Sequence, residues 1–198
     1  FARLLRHIIR RPLLRPLLGG LLVIALAGAL GNTAYLGLGV TNPAGETSIV
    51  SSFAEGGASS FAWAWKILFT AITLASGFKG GEVTPLFYVG ASLGNVLGDL
   101  FHAPADLFAA LGFVGVFAGA ANTPLACTVM GVELFGAASG PYLAVSCFVS
   151  YFVSGHRGIY LSQRVGTPKH ARLAAHDGAT LRDARRAPPP AEPPQADP

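Results

Sequence analysis

The sequence predicts an all-α protein built from several short helices embedded in a membrane, and its composition carries most of that prediction. Charged residues make up 12% of the 198 residues, whereas a typical soluble domain has about 25%. Hydrophobic residues make up 52%, and many of the 25 glycines interrupt the apolar segments. A composition this apolar and this poor in charge indicates a polytopic membrane protein.

Basic residues cluster at the two ends of the chain. The first fifteen residues hold five arginines and no acid, and the segment after His156 holds seven basic residues against four acids. Between Pro16 and His156 the only lysines or arginines are Lys66 and Lys79. Because positive charge is retained on the cytoplasmic side of membranes, we expect both ends to be cytoplasmic. No nucleic-acid recognition motif accompanies the basic ends, so nucleic acid is not an expected partner.

The first half of the chain predicts two helices separated by a long loop. Residues 12–31 form an apolar run of near-spanning length, which we interpret as a helix that starts on the cytoplasmic side. Residues 32–57 are rich in glycine and hydroxyl side chains, which predicts a loop with at most a short helix. Residues 58–76 form the second helix, where Lys66 should either snorkel to the surface or face a wet cavity.

The second half predicts shorter and broken helices. Residues 85–101 carry Gly90, Gly94 and Gly98 four positions apart, so one helix face should allow close approach of a neighbour. Residues 102–136 form two apolar halves broken at 122–124, and residues 140–155 form a further apolar segment. We therefore predict a membrane domain over 1–165 and a disordered cytoplasmic tail over 166–198.

A polar turn between two apolar segments, Ser76-Gly-Phe-Lys-Gly-Gly-Glu-Val-Thr-Pro-Leu-Phe87, is the predicted binding site. Short helices broken by glycine and proline are tolerated inside a bilayer where they line a polar site. Gly80 and Gly81 free the backbone, and Pro85 suits the first turn of a new helix. The N–H groups of Val83 and Thr84 should then lack partners and, with the helix dipole, attract an anion.

Other polar residues do not predict catalysis. Cys127 and Cys147 lie in apolar surroundings and are expected to be buried, reduced thiols. Glu133, in an apolar helix, is expected to be buried and to hold helix ends together. No nucleophile–base pair or metal-ligand set is present, so we expect neither an enzyme nor a cofactor.

Three stretches, in order, resemble the CLC family of chloride channels and anion/proton antiporters. Gly80-Gly-Glu-Val-Thr-Pro85 resembles the signature that opens a half-membrane helix and points amides at the anion. Residues 117–136 resemble the family's pair of helices rich in small residues. Residues 155–165 resemble its final short helix, whose tyrosine, here Tyr160, touches the central anion. The resemblance spans roughly residues 12–165 and implies anion transport in a membrane by a homodimer.

The resemblance covers only the second of the family's two inverted halves. The first-half motifs Gly-Ser-Gly-x-Pro and Gly-Arg-Glu-Gly-x-Pro do not occur here. We therefore expect a C-terminal half, and one alternative is a truncated half-subunit that does not transport without the missing half.

One departure from the chloride-type signature resembles the fluoride-exporting branch. Val83 stands where that signature has phenylalanine, between Glu82 and Thr84. The resemblance implies fluoride/proton antiport, with Gly81, Glu82, Val83, Thr84 and Tyr160 at the anion site. The alternative is a chloride channel or chloride/proton exchanger.

Local alternatives are helix capping by Glu82 or Thr84, pairing of Lys79 with Glu82, and interfacial anchoring by Tyr160.

Overall fold

The structure, a computed structural model, describes residues 14–42, 45–155, 157–166, 169 and 178–184. The described part is helical, with two short 3-10 helices at Ser51–Phe53 and Ala137–Ser139. Its α-helices are α1 (Leu14–Leu30), α2 (Ala62–Ala75), α3 (Val83–Phe101), α4 (Ala105–Ala121), α5 (Pro124–Phe135), α6 (Gly140–Val153) and α7 (Leu181–Ala184). The prediction of an all-α protein with short, broken helices is confirmed. The arginine-rich residues 1–13, on which the prediction of orientation rests in part, lie outside the described residues.

Local backbone chemistry ends these helices where the sequence predicts breaks. Asn122 ends α4 in the left-handed conformation with φ 57°, which asparagine tolerates better than most residues. Pro124 then starts α5, because a proline in the first turn loses no intrahelical hydrogen bond. Gly136 ends α5 with φ 90°, a conformation that favours glycine.

Helices α3 and α4 form a close antiparallel pair. A Cβ added at Gly90 would lie 2.3 Å from the carbonyl oxygen of Gly112, and one at Gly94 would lie 2.1 Å from that of Phe108. The predicted role of the glycine face in packing is therefore confirmed. Next to this contact, toward the start of α3, the rings of Phe87 and Phe113 stack with centroids 4.0 Å apart.

The long connection between α1 and α2 folds against the helices through buried polar side chains. Asn95 is fully buried in α3; its amide donates to the carbonyls of Ser52 and Ala54 and accepts from the N–H of Ala58. Tyr88 donates to the carbonyl of Thr47 at 3.1 Å. Because these groups satisfy loop carbonyls that would otherwise be buried without partners, the loop has one fixed position over α2 and α3.

Both cysteines, Cys127 and Cys147, are buried and unpaired, as predicted. None of the helices in the described ranges combines at least 18 residues with an 18-residue stretch apolar enough to count as a membrane span.

Candidate anion-binding site

The candidate site lies at the start of α3, where the backbone leaves amide donors free. Helix α3 begins at Val83, and the first intrahelical bond at this end runs from the N–H of Leu86 to the carbonyl of Glu82 at 3.3 Å. Pro85 has no N–H, and the amides of Val83 and Thr84 meet no acceptor in the described part of the chain. Free amides at a helix N-terminus, with the positive end of the dipole, can hold an anion.

The polar side chains around this helix start form no hydrogen bond or ion pair within the described residues. Glu82 occupies the N-cap position, yet its carboxylate makes no capping hydrogen bond and is exposed. Lys79 is also exposed, and within the described ranges it forms no ion pair with Glu82. Thr84 is half-buried, and its hydroxyl has no partner among the described residues. Glu82 therefore takes the predicted N-cap position, where the helix dipole favours its charge, but no capping hydrogen bond and no Lys79–Glu82 ion pair forms within the described residues.

A cavity of about 250 Å³ opens beside the turn that precedes α3. The loop before α2, one face of α2 and the start of α3 enclose it. Its lining residues are Tyr35, Leu36, Gly37, Leu38, Lys66, Phe69, Thr70, Thr73, Leu74, Gly80, Gly81 and Pro85. Space for a small anion and its shell therefore adjoins the predicted glycines.

Lys66 is the charged residue of this cavity. Its side chain is 1% exposed, and Nζ donates to the carbonyls of Tyr35 at 3.2 Å and Gly37 at 2.9 Å. Nζ also lies 4.8 Å from the centre of the Tyr88 ring. Lys66 therefore faces a cavity and does not snorkel. The sequence signal for it was a lone lysine inside an apolar helix, but nothing in the sequence placed it beside residues 80–85.

Tyr160 lies in a turn, and the predicted final helix over 155–165 is wrong for the described residues 155 and 157–165. The backbone of this segment bonds to α4 instead of forming a helix: the N–H of Ile159 donates to the carbonyl of Ala120 at 2.9 Å. Since α3 and α4 run antiparallel, the end of α4 and the start of α3 lie at the same end of the pair. Tyr160, 47% exposed, follows directly at that end.

Glu133 does not behave as predicted. It lies on the exposed side of α5, and within the described part of the chain it holds no ion pair. The buried positions of α5 are Cys127 and Gly131, so the helix turns its small residues inward and Glu133 outward. The expected role in holding helix ends together is therefore wrong for this chain.

Comparison with known proteins identifies the class to which this fold and site belong. The family model described as voltage gated chloride channel matches residues 1–155. The chain belongs to this family, the CLC family of anion channels and antiporters.

Two relatives show how much of a family member the chain represents. It is 52% identical over 159 residues to a chloride/fluoride channel protein of Pseudomonas syringae pv. tomato (strain ATCC BAA-871 / DC3000), covering 80% of this chain and 35% of that protein. It also matches the crystal structure of a CLC-type fluoride/proton antiporter with a TM-score of 0.72 and 38% identity, covering 80% of this chain and 39% of the other. The chain therefore spans little more than a third of these relatives.

Proposed function

We propose that this chain is the second half of a CLC-type transporter that exchanges fluoride for protons across a membrane. The observation that supports this proposal most directly is the pair of free amides at Val83 and Thr84 beside a cavity. Both relatives name fluoride in their descriptions, and the signature at residues 80–85 has valine in place of phenylalanine. The named relatives and the helix start thus favour the same anion.

Fluoride requires strong donors because it is small and holds its hydration shell tightly. In the proposed site the amides of Val83 and Thr84 replace water molecules, and the free Thr84 hydroxyl adds a third donor. Gly81 lines the approach without a side chain. Tyr160 contributes its hydroxyl from the same end of the α3–α4 pair, and Glu82, exposed at the N-cap, takes up or releases protons.

The match to the Pseudomonas relative covers 35% of that protein's length, and we propose that a first half completes the transporter. We propose that the two halves together form one ion pathway and that two such units form a homodimer in the membrane. Apolar side chains exposed on α1 and α6 support burial of those helices against lipid or protein: Leu17, Leu21, Ile24, Val145, Val149 and Val153.

Flux measurements on the complete transporter, this chain together with its first half, test the proposal. Reconstituted in liposomes under a pH gradient, it should export fluoride faster than chloride and move protons in the opposite direction. Val83→Phe should slow fluoride more than chloride, because it restores the chloride-type residue. Equal flux of both anions, or equal effects of Val83→Phe on both, would instead favour the chloride channel or chloride/proton exchanger.

A further inference from the structure

We propose that Lys66 supplies a fixed positive charge that raises anion occupancy at the start of α3. This inference deepens the proposed function and rests on it, since it assigns a residue to the affinity of the same site. Lys66 is a positioning residue, because its Nζ is committed to protein carbonyls and acts on the anion through the cavity.

The first step is that the ammonium is held at a fixed place. Two loop carbonyls, of Tyr35 and Gly37, accept hydrogen bonds from Nζ, and the face of Tyr88 lies 4.8 Å away. A cation over an aromatic ring is stabilised by the ring quadrupole. A Cβ added at Gly39 would lie 3.3 Å from Nζ and 2.7 Å from the Tyr88 ring, so backbone closes the remaining side.

The second step is that no acid neutralises this charge in the part of the chain that the structure describes. No carboxylate there lies within ion-pair distance of Nζ. Glu46, on the same loop, accepts a hydrogen bond from the Asn42 amide at 2.9 Å. A buried lysine bonded only to neutral groups keeps its positive potential in its surroundings, since no counter-charge among the described residues screens it.

The third step is that this potential reaches the free amides. Lys66, Gly80, Gly81 and Pro85 line one cavity. Tyr88, against which Nζ lies, follows Thr84 by about one helical turn, a rise of roughly 6 Å. A unit charge about 10 Å from an anion, at an effective dielectric constant near 20, changes its affinity by roughly tenfold. The cavity thus brings the turn before α3, and Pro85 in its first turn, next to an independent buried cation.

The test compares neutral and charged replacements of Lys66 in the complete transporter. Lys66→Gln keeps a donor for the loop carbonyls but removes the charge, Lys66→Met removes both, and Lys66→Arg keeps the charge. The matched control is Arg182→Met, which removes one charge from an exposed basic side chain outside the cavity. Fluoride flux is measured against fluoride concentration, together with the thermal midpoint in detergent.

We expect Lys66→Gln and Lys66→Met to raise the half-saturating fluoride concentration roughly tenfold, Lys66→Arg to keep it near the wild-type value, and Arg182→Met to change it less than twofold. If Lys66 has only a structural role, Lys66→Gln will lower the maximal rate or the thermal midpoint and leave the half-saturating fluoride concentration unchanged. That result, or an Arg variant as impaired as the Gln variant, overturns the inference. If Lys66→Met does not fold, the Gln and Arg variants still decide.

The outcomes also separate this inference from the proposed function. A wild-type transporter that carries fluoride, paired with an unchanged half-saturation in Lys66→Gln, refutes only the role of Lys66. If the wild-type transporter carries chloride instead of fluoride, the same Lys66 variants are measured with chloride. If the wild type carries neither anion, both the proposed function and this inference are wrong.

Discussion

Val83 and Thr84 illustrate how a small number of backbone atoms can define a candidate binding site. Their amides are free because a helix start has no preceding turn to accept from them, and Pro85 contributes no donor. The sequence predicted this arrangement from a pair of glycines followed by a proline, and the structure starts α3 at Val83. What the sequence did not predict was that the cavity of Lys66 adjoins the turn before α3, because proximity between α2 and the start of α3 depends on how the loop packs.

A graded series at Thr84 separates the amide from the hydroxyl. Thr84→Ser keeps both donors, Thr84→Val keeps only the amide, and Thr84→Pro keeps neither. We expect fluoride flux near wild type for Ser, reduced roughly ten- to hundredfold for Val, because one hydrogen bond to a charged group is worth roughly 1.5–3 kcal/mol, and abolished for Pro. Proline is tolerated in the first helical turn, so the Pro variant should still fold.

The measurement for this series is fluoride efflux from liposomes, with circular dichroism as the check on folding. A folded Thr84→Pro variant with full flux would show that the amide does not hold the anion. Val and Pro variants that are equally impaired would assign the contribution to the hydroxyl alone.

Among the elements, the α3–α4 pair sets the position of the candidate site. Backbone contact through Gly90, Gly94 and Gly112 fixes the register of α3, and the stacked rings of Phe87 and Phe113 lie one to two turns from the helix start. The spacing of the glycines predicted the contact face, but it did not identify α4 as the partner. In the same way, Asn122 and Pro124 predicted the break between α4 and α5, while the turn at Tyr160 was not foreseen.

The close contact predicts a large penalty for one methyl group. Gly94→Ala would bring its Cβ against the Phe108 carbonyl oxygen, so the helices must separate, and we expect a loss of about 1–3 kcal/mol or more. Gly28→Ala is the matched control, because it lies in α1 with nothing within 4 Å of the added Cβ. Alanine there should be neutral or slightly stabilising, since glycine is the poorer helix former.

Thermal unfolding of the detergent-solubilised complete transporter measures both variants. We expect a clearly lower midpoint for Gly94→Ala and an unchanged or slightly higher one for Gly28→Ala. Equal midpoints for the two variants would mean that α3 and α4 are not packed as closely as described.

In the whole molecule, the chain beyond α6 returns to brace the turn that carries Tyr160. The C-terminal strap, residues 178–184, forms backbone bonds from Gly178 and Leu181 to Val165 and Gln163, at 2.8 and 2.9 Å. Leu181 is 3% exposed. The composition of residues 166–198 predicted a disordered tail, and the strap differs from that expectation. A buried leucine and paired backbone groups, which composition does not resolve, give these residues a fixed place.

Lys169 adds a further link between the segment after α6 and the bundle. Its Nζ donates to Asn122 Oδ1 at 2.5 Å and to the carbonyls of Tyr151 and Gly155 at 2.6 and 2.7 Å. Burial lowers the pKa of Lys169 to about 8, so the ammonium remains largely charged at pH 7 and can supply these bonds. The end of α4 and the end of α6 are thereby joined at the same end of the molecule as the candidate site.

If the strap fixes the Tyr160 turn, releasing it should loosen that turn first. Leu181→Asp places a carboxylate in an apolar contact, which costs several kcal/mol unless the segment detaches. The amides of Val165, Leu181 and Arg182, bonded across the strap, should then exchange with deuterium much faster, while the helical amides of α3 and α4 stay protected. Arg182→Ala, an exposed side chain in the same segment, is the control and should leave exchange unchanged.

Because the turn carries Tyr160, fluoride flux should fall together with the loss of protection. A Leu181→Asp variant with wild-type exchange in residues 159–165 would show that the turn holds its place without the strap.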